Sequence, residues 1–352
     1  MAVSRINEAG LNVNQFGNRN LIINGGMQVA QRSTSETALG ADTNTYRTHD
    51  RWKIKTNGTA GRFTMAQSTD APSGFTNSLK FSCTTADTSI AAAEEFRLTQ
   101  HIEASSCART MTGTSDAKQI TLSFYAKADS TKTYVAQILN NKHSSFVHNN
   151  RTFTVTSSWQ RFTMTFQADT DTDSKFDGTL TDAGFSLSFW LHAGSNYTSA
   201  TLASDWATGT TNRAAGTQSF FSATSNTFFI TGCQLEVGDT ATDFEHRSYG
   251  DELLQCQRYY QEMNIVNYPL QAYLAADHYS QIRFSPPLRA AATGTLVSTA
   301  IYFTGFDRTS GTTATGTGGY KDGLTLRVQG ASGVNIGEAG LIVCTGKFDA
   351  EL

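Results

Sequence analysis

Apolar and polar residues alternate along much of the first two thirds of the chain. In "ITLSFYAKA", Ile120, Leu122, Phe124, Ala126 and Ala128 share one parity. "RFTMTFQA" repeats the pattern with Phe162, Met164, Phe166 and Ala168, and "FSLSFWLHA" with Phe185, Leu187, Phe189, Leu191 and Ala193. "FITGCQLEV" gives Phe229, Thr231, Cys233, Leu235 and Val237. A strand turns successive side chains to opposite faces, so each run predicts a strand with one buried face. Gly, Asn, Asp and Ser turns separate the runs, with no helical stretches between them. Residues 21–245 are therefore expected to form a jelly-roll β-sandwich. Trp52 and Trp159 stand at the edges of such runs and are expected as core anchors, given the area a Trp buries.

The period changes once. Ser248 is a predicted N-cap, Asp251 sits at the capping-box position, and Glu252 adds negative charge to a first helical turn. Tyr249, Leu253, Cys256, Tyr260 and Met263 recur at helical spacing, with Glu252, Gln255 and Arg258 on the opposite face. A short linking α-helix is expected over 246–264. Alternation returns in "QIRFS", "TLVSTAIYF" and "LTLRVQ", which predicts a smaller C-terminal β domain over 265–352. Within it, "DRTSGTTATGTGGYKDG" is expected as a long surface loop or hairpin tip. Residues 1–20 are a polar arm of the kind that frays unless it is tied down. The fold class expected is all-β.

Composition agrees with this outline. The chain has 352 residues, which suits two domains. Its 22 Phe and 12 Tyr against 4 Pro suit pleated, half-buried surfaces. The net charge of −3 shows no basic footprint, so nucleic acid is not an expected partner. No apolar run reaches the roughly 18 residues of a membrane span, and none is expected to insert. The first residues lack the apolar core of a signal peptide, so synthesis in a cytoplasm is expected. Cys83, Cys107, Cys233, Cys256 and Cys344 are far apart and never in C-x-x-C spacing. Buried free thiols are expected, not a zinc site or a disulfide scaffold.

Catalytic chemistry is sparse. "GTTATGT" at 311–317 has the glycine spacing of a phosphate loop, but Thr317 stands where Lys is required. His143 and His148 are not at ligand spacing. Glu94 and Glu95 are adjacent and face opposite sides of a strand, so they suit no general acid/base pair. Nothing marks the two carboxylates, about 5–10 Å apart, that glycoside hydrolysis needs. No enzyme is expected. "DTDTDSKFDG" sets Asp169, Asp171, Asp173 and Asp177 near the positions of a calcium loop. Ser174 replaces its glycine and Leu180 its bidentate glutamate. Two readings stay open there: a Ca²⁺ site, and a solvated acidic turn. Sugars stack on exposed aromatic faces. Trp190 is out of phase with the Phe185–Leu191 face and so points away from the core. With Tyr197 and Trp206 it forms a candidate glycan-binding platform. The alternative is that a second sheet or a subunit interface covers these rings.

Several stretches carry a resemblance. "RNLIINGGMQVAQRST" at 19–34, "HDRWKI" at 49–54 and "QLEVGDTATDFEHRSYGDELLQCQRYYQ" at 234–261 resemble virion structural proteins of tailed phages. They are similar to tail-fibre or receptor-binding proteins of phages of aquatic bacteria, as are "FSLSFWLHAGSNYTSATLASDW" and the terminal "FDAEL". The resemblance covers most of 19–262 and is looser beyond. It implies a sandwich of carbohydrate-binding-module type, a homotrimer, and display on a virion made in a host cytoplasm. It also implies that the N-terminal arm holds other virion proteins and that the sandwich binds a host-surface polysaccharide. It supplies no catalytic residues. A capsid decoration protein without sugar binding and a polysaccharide depolymerase stay open as alternatives.

Overall fold

The computed structural model describes residues 18–176, 182–274, 277–291, 293–303, 306–308, 313–329 and 339–352. They divide into two compact units. One runs to Glu252 and includes Leu352; the other is Leu253–Glu351.

The first unit begins with β1 (Ser35–Gly40), β2 (Asn44–Tyr46), β3 (Lys53–Asn57), β4 (Arg62–Ser68), β5 (Ser78–Thr85) and β6 (Glu95–Glu103). It continues with β7 (Ile120–Ala128), β8 (Lys132–Asn140), β9 (His148–Val155), β10 (Gln160–Phe166), β11 (Ala183–Ala193) and β12 (Thr227–Val237). They form two six-stranded antiparallel sheets, in the orders β1-β4-β5-β12-β7-β10 and β2-β3-β6-β11-β8-β9. The result is the expected all-β sandwich of jelly-roll type. Its core takes Ile120, Leu122, Phe124, Ala126 and Ala128 from β7 and Phe185, Leu187, Phe189 and Leu191 from β11, as alternation predicts. Trp52 is fully buried among them.

Two expectations about the core are corrected. In β12 the core residues are Phe228 and Ile230, then Cys233 and Leu235. The pairing register with β7 slips between Thr231 and Gln234, so the strand changes parity there. Gly232 permits the bulge: its φ is +63°, and a Cβ would lie 2.6 Å from the Phe75 ring. Phe229 consequently faces outward, 4.9 Å beneath the Lys127 ammonium. Trp159 also leaves the core. It lies half-buried beside Phe229, with Nε1 donating to Asp70 Oδ1 at 3.0 Å.

The stretches that carry the sequence resemblance meet in one buried junction. Asn24 Nδ2 donates to the Val29 and Asp50 carbonyls, at 2.8 and 3.0 Å. Trp52 Nε1 donates to the Asn24 carbonyl at 3.0 Å. Glu252 accepts the Asn24 N–H. Arg247 Nη2 donates to the Asn20 carbonyl at 2.9 Å and pairs with Glu245 at 3.1 Å. Gly25 lies so close to the β12 backbone that a Cβ would sit 2.1 Å from the Cys233 carbonyl oxygen. Residues 19–25, 49–52 and 234–252 are thus joined by hydrogen bonds. Glu252, expected on a polar helix face, is buried as part of this junction.

The helix covers Tyr249–Gln257. Ser248 Oγ accepts the Asp251 N–H at 3.1 Å and donates to Asp251 Oδ2 at 2.7 Å, the predicted cap. Tyr260 and Met263, expected on its apolar stripe, instead belong to β13 (Tyr260–Leu274) and pair with residues near the chain end. Sheet pairing overrides their helical spacing.

The second unit adds β14 (Asp277–Arg283), β15 (Thr293–Phe303), β16 (Phe306–Arg308), β17 (Thr313–Tyr320), β18 (Gly323–Gln329) and β19 (Ala339–Asp349). They form one antiparallel sheet ordered β16-β15-β19-β13-β14-β18-β17. The Thr- and Gly-rich stretch expected as a long surface loop or a hairpin tip supplies β17 and, after Tyr320, the hairpin turn into β18. Thr317 is thus in a strand. Residues 1–17, most of the expected arm, lie outside the described residues, as does Asp177. Four cysteines, Cys83, Cys107, Cys233 and Cys256, are free and buried.

Candidate functional site

The second sheet of the sandwich presents its outward side chains in ranks, because antiparallel partners lie opposite each other. One rank runs Tyr46, Lys53, Thr99, Ser188, Gln137, Asn150. The next runs Asn44, Lys55, Arg97, Trp190, Val135, Thr152. A third holds His101, Ser186, Leu139 and His148. Polar residues dominate, and many pair sideways. The Thr99 and Ser188 hydroxyls are 2.8 Å apart, and His101 Nδ1 lies 2.6 Å from Ser186 Oγ. Asn141 Nδ2 donates to Ser186 Oγ at 2.7 Å.

Half of this face is covered. The segment after β11 returns over β8 and β9. The Ala203 carbonyl accepts from Asn150 N and Nδ2, at 3.0 and 2.9 Å. The His148 and Ala207 backbones exchange hydrogen bonds, and Arg213 Nη2 donates to Gln137 Oε1 at 2.8 Å. Trp190 points away from the sandwich core, as its parity predicts, but it is fully buried under this segment. Its ring lies between the Arg97 and Arg213 guanidinium groups, at 5.1 and 5.3 Å, and 5.1 Å from Tyr197. Trp206 packs elsewhere, stacked on Phe185 at 6.0 Å with Nε1 donating to the Gln167 carbonyl at 2.7 Å. The three rings expected as a platform therefore do not share a surface. What covers Trp190 is the segment that returns after β11, rather than a second sheet or a subunit interface.

The other half is open. A groove of about 190 Å³ lies over β2, β3 and β6 and reaches Ser186 of β11 and Leu139 at the end of β8; Lys53, Lys55, Arg97, Thr99, His101 and Asn141 also line it. Beneath it, buried Glu95 accepts Lys55 Nζ at 2.8 Å and faces Arg97 Nε at 3.2 Å. Lys53 sits 5.8 Å over the Tyr46 ring. Burial, aided by the positive charge of Lys53, Arg51 and Arg97, pushes the His101 pKa down to about 3. Its ring is neutral at physiological pH and can both donate and accept. The groove can therefore offer ammonium, guanidinium, imidazole, hydroxyl and amide groups to a polar ligand on a firm sheet. The alternating polar positions of "WKIKT" and "FRLTQHI" were the sequence signal for it.

The acidic loop has a different geometry. Asp171 N donates to Asp169 Oδ1 at 3.1 Å, and Asp173 N to Asp171 Oδ1 at 3.0 Å, which are local turn hydrogen bonds. His143, from a distant part of the chain, brings Nε2 to 3.6 Å from Asp171 Oδ2. His143, Asp171 and Asp173 offer ligand atoms within 4.8 Å of one another, whereas Asp169 is not part of that group. Glu94 and Glu95 are both buried with separate partners. Glu94 Oε2 lies 3.0 Å from His192 Nε2, and His192 Nδ1 lies 2.8 Å from Ser219 Oγ. That hydroxyl also caps the Phe221 N–H, and the His192 ring is fully buried against Phe221. The chain of three ties β11 to the loop before β12.

No family model and no curated protein matches the chain. Among solved structures, a CBM4 module is 17% identical with a TM-score of 0.32, over 61% of this chain and 97% of that one. A family 11 carbohydrate-binding module from Clostridium thermocellum, in complex with a mixed-linked tetrasaccharide, is 13% identical with a TM-score of 0.30, over 61% and 99%. The enzymatically active domain of bacteriophage CBA120 tailspike protein 4 is 12% identical with a TM-score of 0.33, over 62% of this chain. The chain spans 21% of that tailspike chain's length.

Proposed function

We propose that the open half of the second sheet binds a glycan, and that the protein does this as a non-enzymatic virion protein of tail-fibre type. One observation carries the binding reading. The groove gathers amine, guanidinium, hydroxyl, amide and imidazole groups at its wall, where a hydroxyl-rich ligand needs donors and acceptors. The virion role rests on the ordered stretches at 19–34, 49–54 and 234–261, as do a homotrimeric state and anchoring through residues 1–20. The junction at Asn24 gives those stretches a common structural task, holding one another through buried hydrogen bonds.

The test applies labelled protein to bacterial cells before and after their surface polysaccharide is stripped. Binding lost on stripping is the expected result. Equal binding to stripped cells sinks the glycan reading. Binding to phage particles lacking the protein, and not to cells, makes it a decoration protein. Release of reducing ends from a bound polysaccharide would make it an enzyme. Light scattering should give the mass of a trimer.

A further inference from the structure

We infer that the C-terminal sheet carries a second binding site, a groove over β14 and β18 that takes a neutral sugar ring; it uses no residue of the groove described above. In and just after β14 the pattern alternates: Ile282 and Phe284 are buried, while Gln281 and Arg283 turn outward. β18 pairs with β14 so that Thr325 stands opposite Gln281 and Gly323 opposite Arg283. β17, at the sheet edge, places Tyr320 opposite Gly323. One rank across three strands therefore reads Tyr320, Gly323, Arg283. Its middle position admits no side chain, since a Cβ there would lie 2.3 Å from the Ile282 carbonyl oxygen. The tyrosine and the arginine stand two strand spacings apart, about 10 Å at the backbone, with a bare floor between them. A groove of about 290 Å³ lies there, lined also by Gln281, Thr325 and, from the turn, Asp322.

Three of the lining groups are unengaged. Tyr320 is 70% exposed, more than any other large apolar side chain among the described residues. Its ring, the Arg283 guanidinium and the Asp322 carboxylate make no hydrogen bond, ion pair or ring contact with any described residue. Side chains that serve the fold are held by it, as Trp190, Lys55 and Arg97 are. A single exposed ring is ordinary on a protein surface. This one borders a concavity that it shares with a free donor and a free acceptor.

The chemistry of the set selects the ligand. A pyranose has an apolar C–H face and a rim of hydroxyls, each able to donate and accept. The Tyr320 ring offers the first an aromatic surface. At the rim Arg283 only donates, Asp322 only accepts and Thr325 does either, so one hydroxyl can be held from both sides. Hydrogen bonds to ionised groups are the stronger ones, which offsets the water the hydroxyls lose. One guanidinium and one carboxylate cancel, so the set favours a ligand without net charge.

Affinity electrophoresis of the full chain through gels containing dextran, laminarin, galactomannan or alginate tests the inference. Retardation by at least one of the three neutral polymers is expected, and it should persist as salt rises, since no net charge is matched. Tyr320→Ala should weaken that binding about tenfold, and Arg283→Gln by a similar factor or less. Both positions are exposed, so neither change endangers the fold. Phe146→Ala removes another exposed ring, outside both grooves, and should match the parent. Thr99→Val, in the first groove, separates the two sites. Binding that falls in Thr99→Val and not in Tyr320→Ala overturns the inference and leaves the glycan reading of the first groove standing. The reverse pattern supports the inference and counts against that reading. Retardation by alginate alone, or retardation abolished by salt, overturns it, as does no retardation in any gel. A lower mass by light scattering in Tyr320→Ala would make the ring a contact between copies of the chain and overturn it as well.

Discussion

The two halves of one sheet face make an instructive pair. They share strands, pleat and ranks, and both turn polar side chains outward. Over β8 and β9 a returning segment takes up those side chains: Gln137 receives Arg213, Asn150 receives Ala203, and Trp190 disappears between two guanidinium groups. Over β3 and β6 no returning segment of that kind is seen among the described residues: Tyr46 donates to the Leu352 carbonyl at 3.0 Å at the sheet edge, and Lys53, Lys55, Arg97 and Thr99 line a groove. The covered half uses its polar atoms to hold a returning segment; in the other half they pair within the sheet, Lys55 and Arg97 with Glu95 and Thr99 with Ser188. Parity tells which side of a sheet a residue faces, not which side is solvent.

The largest test of this contrast is Trp190→Ala. In the covered half it removes a buried ring from the small cluster of Val135, Ala193 and Ala214. Unfolding by urea should show a loss of about 3–5 kcal/mol. A variant of undiminished stability that no longer binds glycan would put Trp190 on the ligand and break the contrast.

Acid should act on both halves. His49 is fully buried and held at about 3 by desolvation, His101 in the open half is held at about 3, and His148 in the covered half is held at about 4, in each case chiefly by burial. Each folded-state value lies below the unfolded one, near 6.5. Below pH 6.5 the unfolded chain takes up protons that the folded chain refuses. Stability is therefore fully present above about pH 6.5 and is lost progressively as pH falls toward the folded values. His49 alone accounts for about 2 kcal/mol between pH 6.5 and 5. Urea melts at the two pH values check this, and a flat profile would mean that the rings ionise freely in the folded protein. His148→Asn and His101→Asn then apportion the remainder between the halves.

Within the covered half, Gln137→Leu should come next in size. Gln137 accepts from Arg213 and donates to Asn150 at 2.8 Å each. Its loss leaves two buried polar partners short of a bond, at a cost of about 2 kcal/mol. Proteolysis between residues 199 and 212 should quicken as the covering segment loosens. Unchanged stability and cleavage would show that this segment is held by its apolar contacts alone.

Much of this arrangement was legible in the sequence, and the limits are physical. The runs from Ile120 and Phe185 place their apolar residues in the core because a strand keeps its parity until something inserts a residue. Gly232 does that in β12, so Phe229 and Phe228 exchange faces. Ser248 and Asp251 are a local cap, readable within four residues. Glu252 is not: its partner Asn24 is 228 residues away. The same distance in sequence hides the cover on Trp190, which makes the residue with the strongest glycan signature a packing residue. The groove gave a weaker signal, alternating cations and hydroxyls, since only strand pairing brings Lys55 beside Arg97.

The smallest effect is the sharpest comparison, because it uses the same rank as Gln137. Thr99 sits on the open side of that rank, its hydroxyl 2.8 Å from Ser188 Oγ. Thr99→Val keeps the shape and removes the hydroxyl. Ser188, itself buried, then loses one partner, and stability should fall by about 1 kcal/mol, the scale of one hydrogen bond. Binding should suffer more than stability, because the missing hydroxyl belongs to the groove wall. For Gln137→Leu the order is the reverse: stability falls first, and binding only as the fold loosens. Calorimetric binding and urea melts on the two variants give four numbers. If Thr99→Val cost the fold more than it cost the ligand, the open half would be a structural surface like its neighbour, and the glycan would have to be sought on another face.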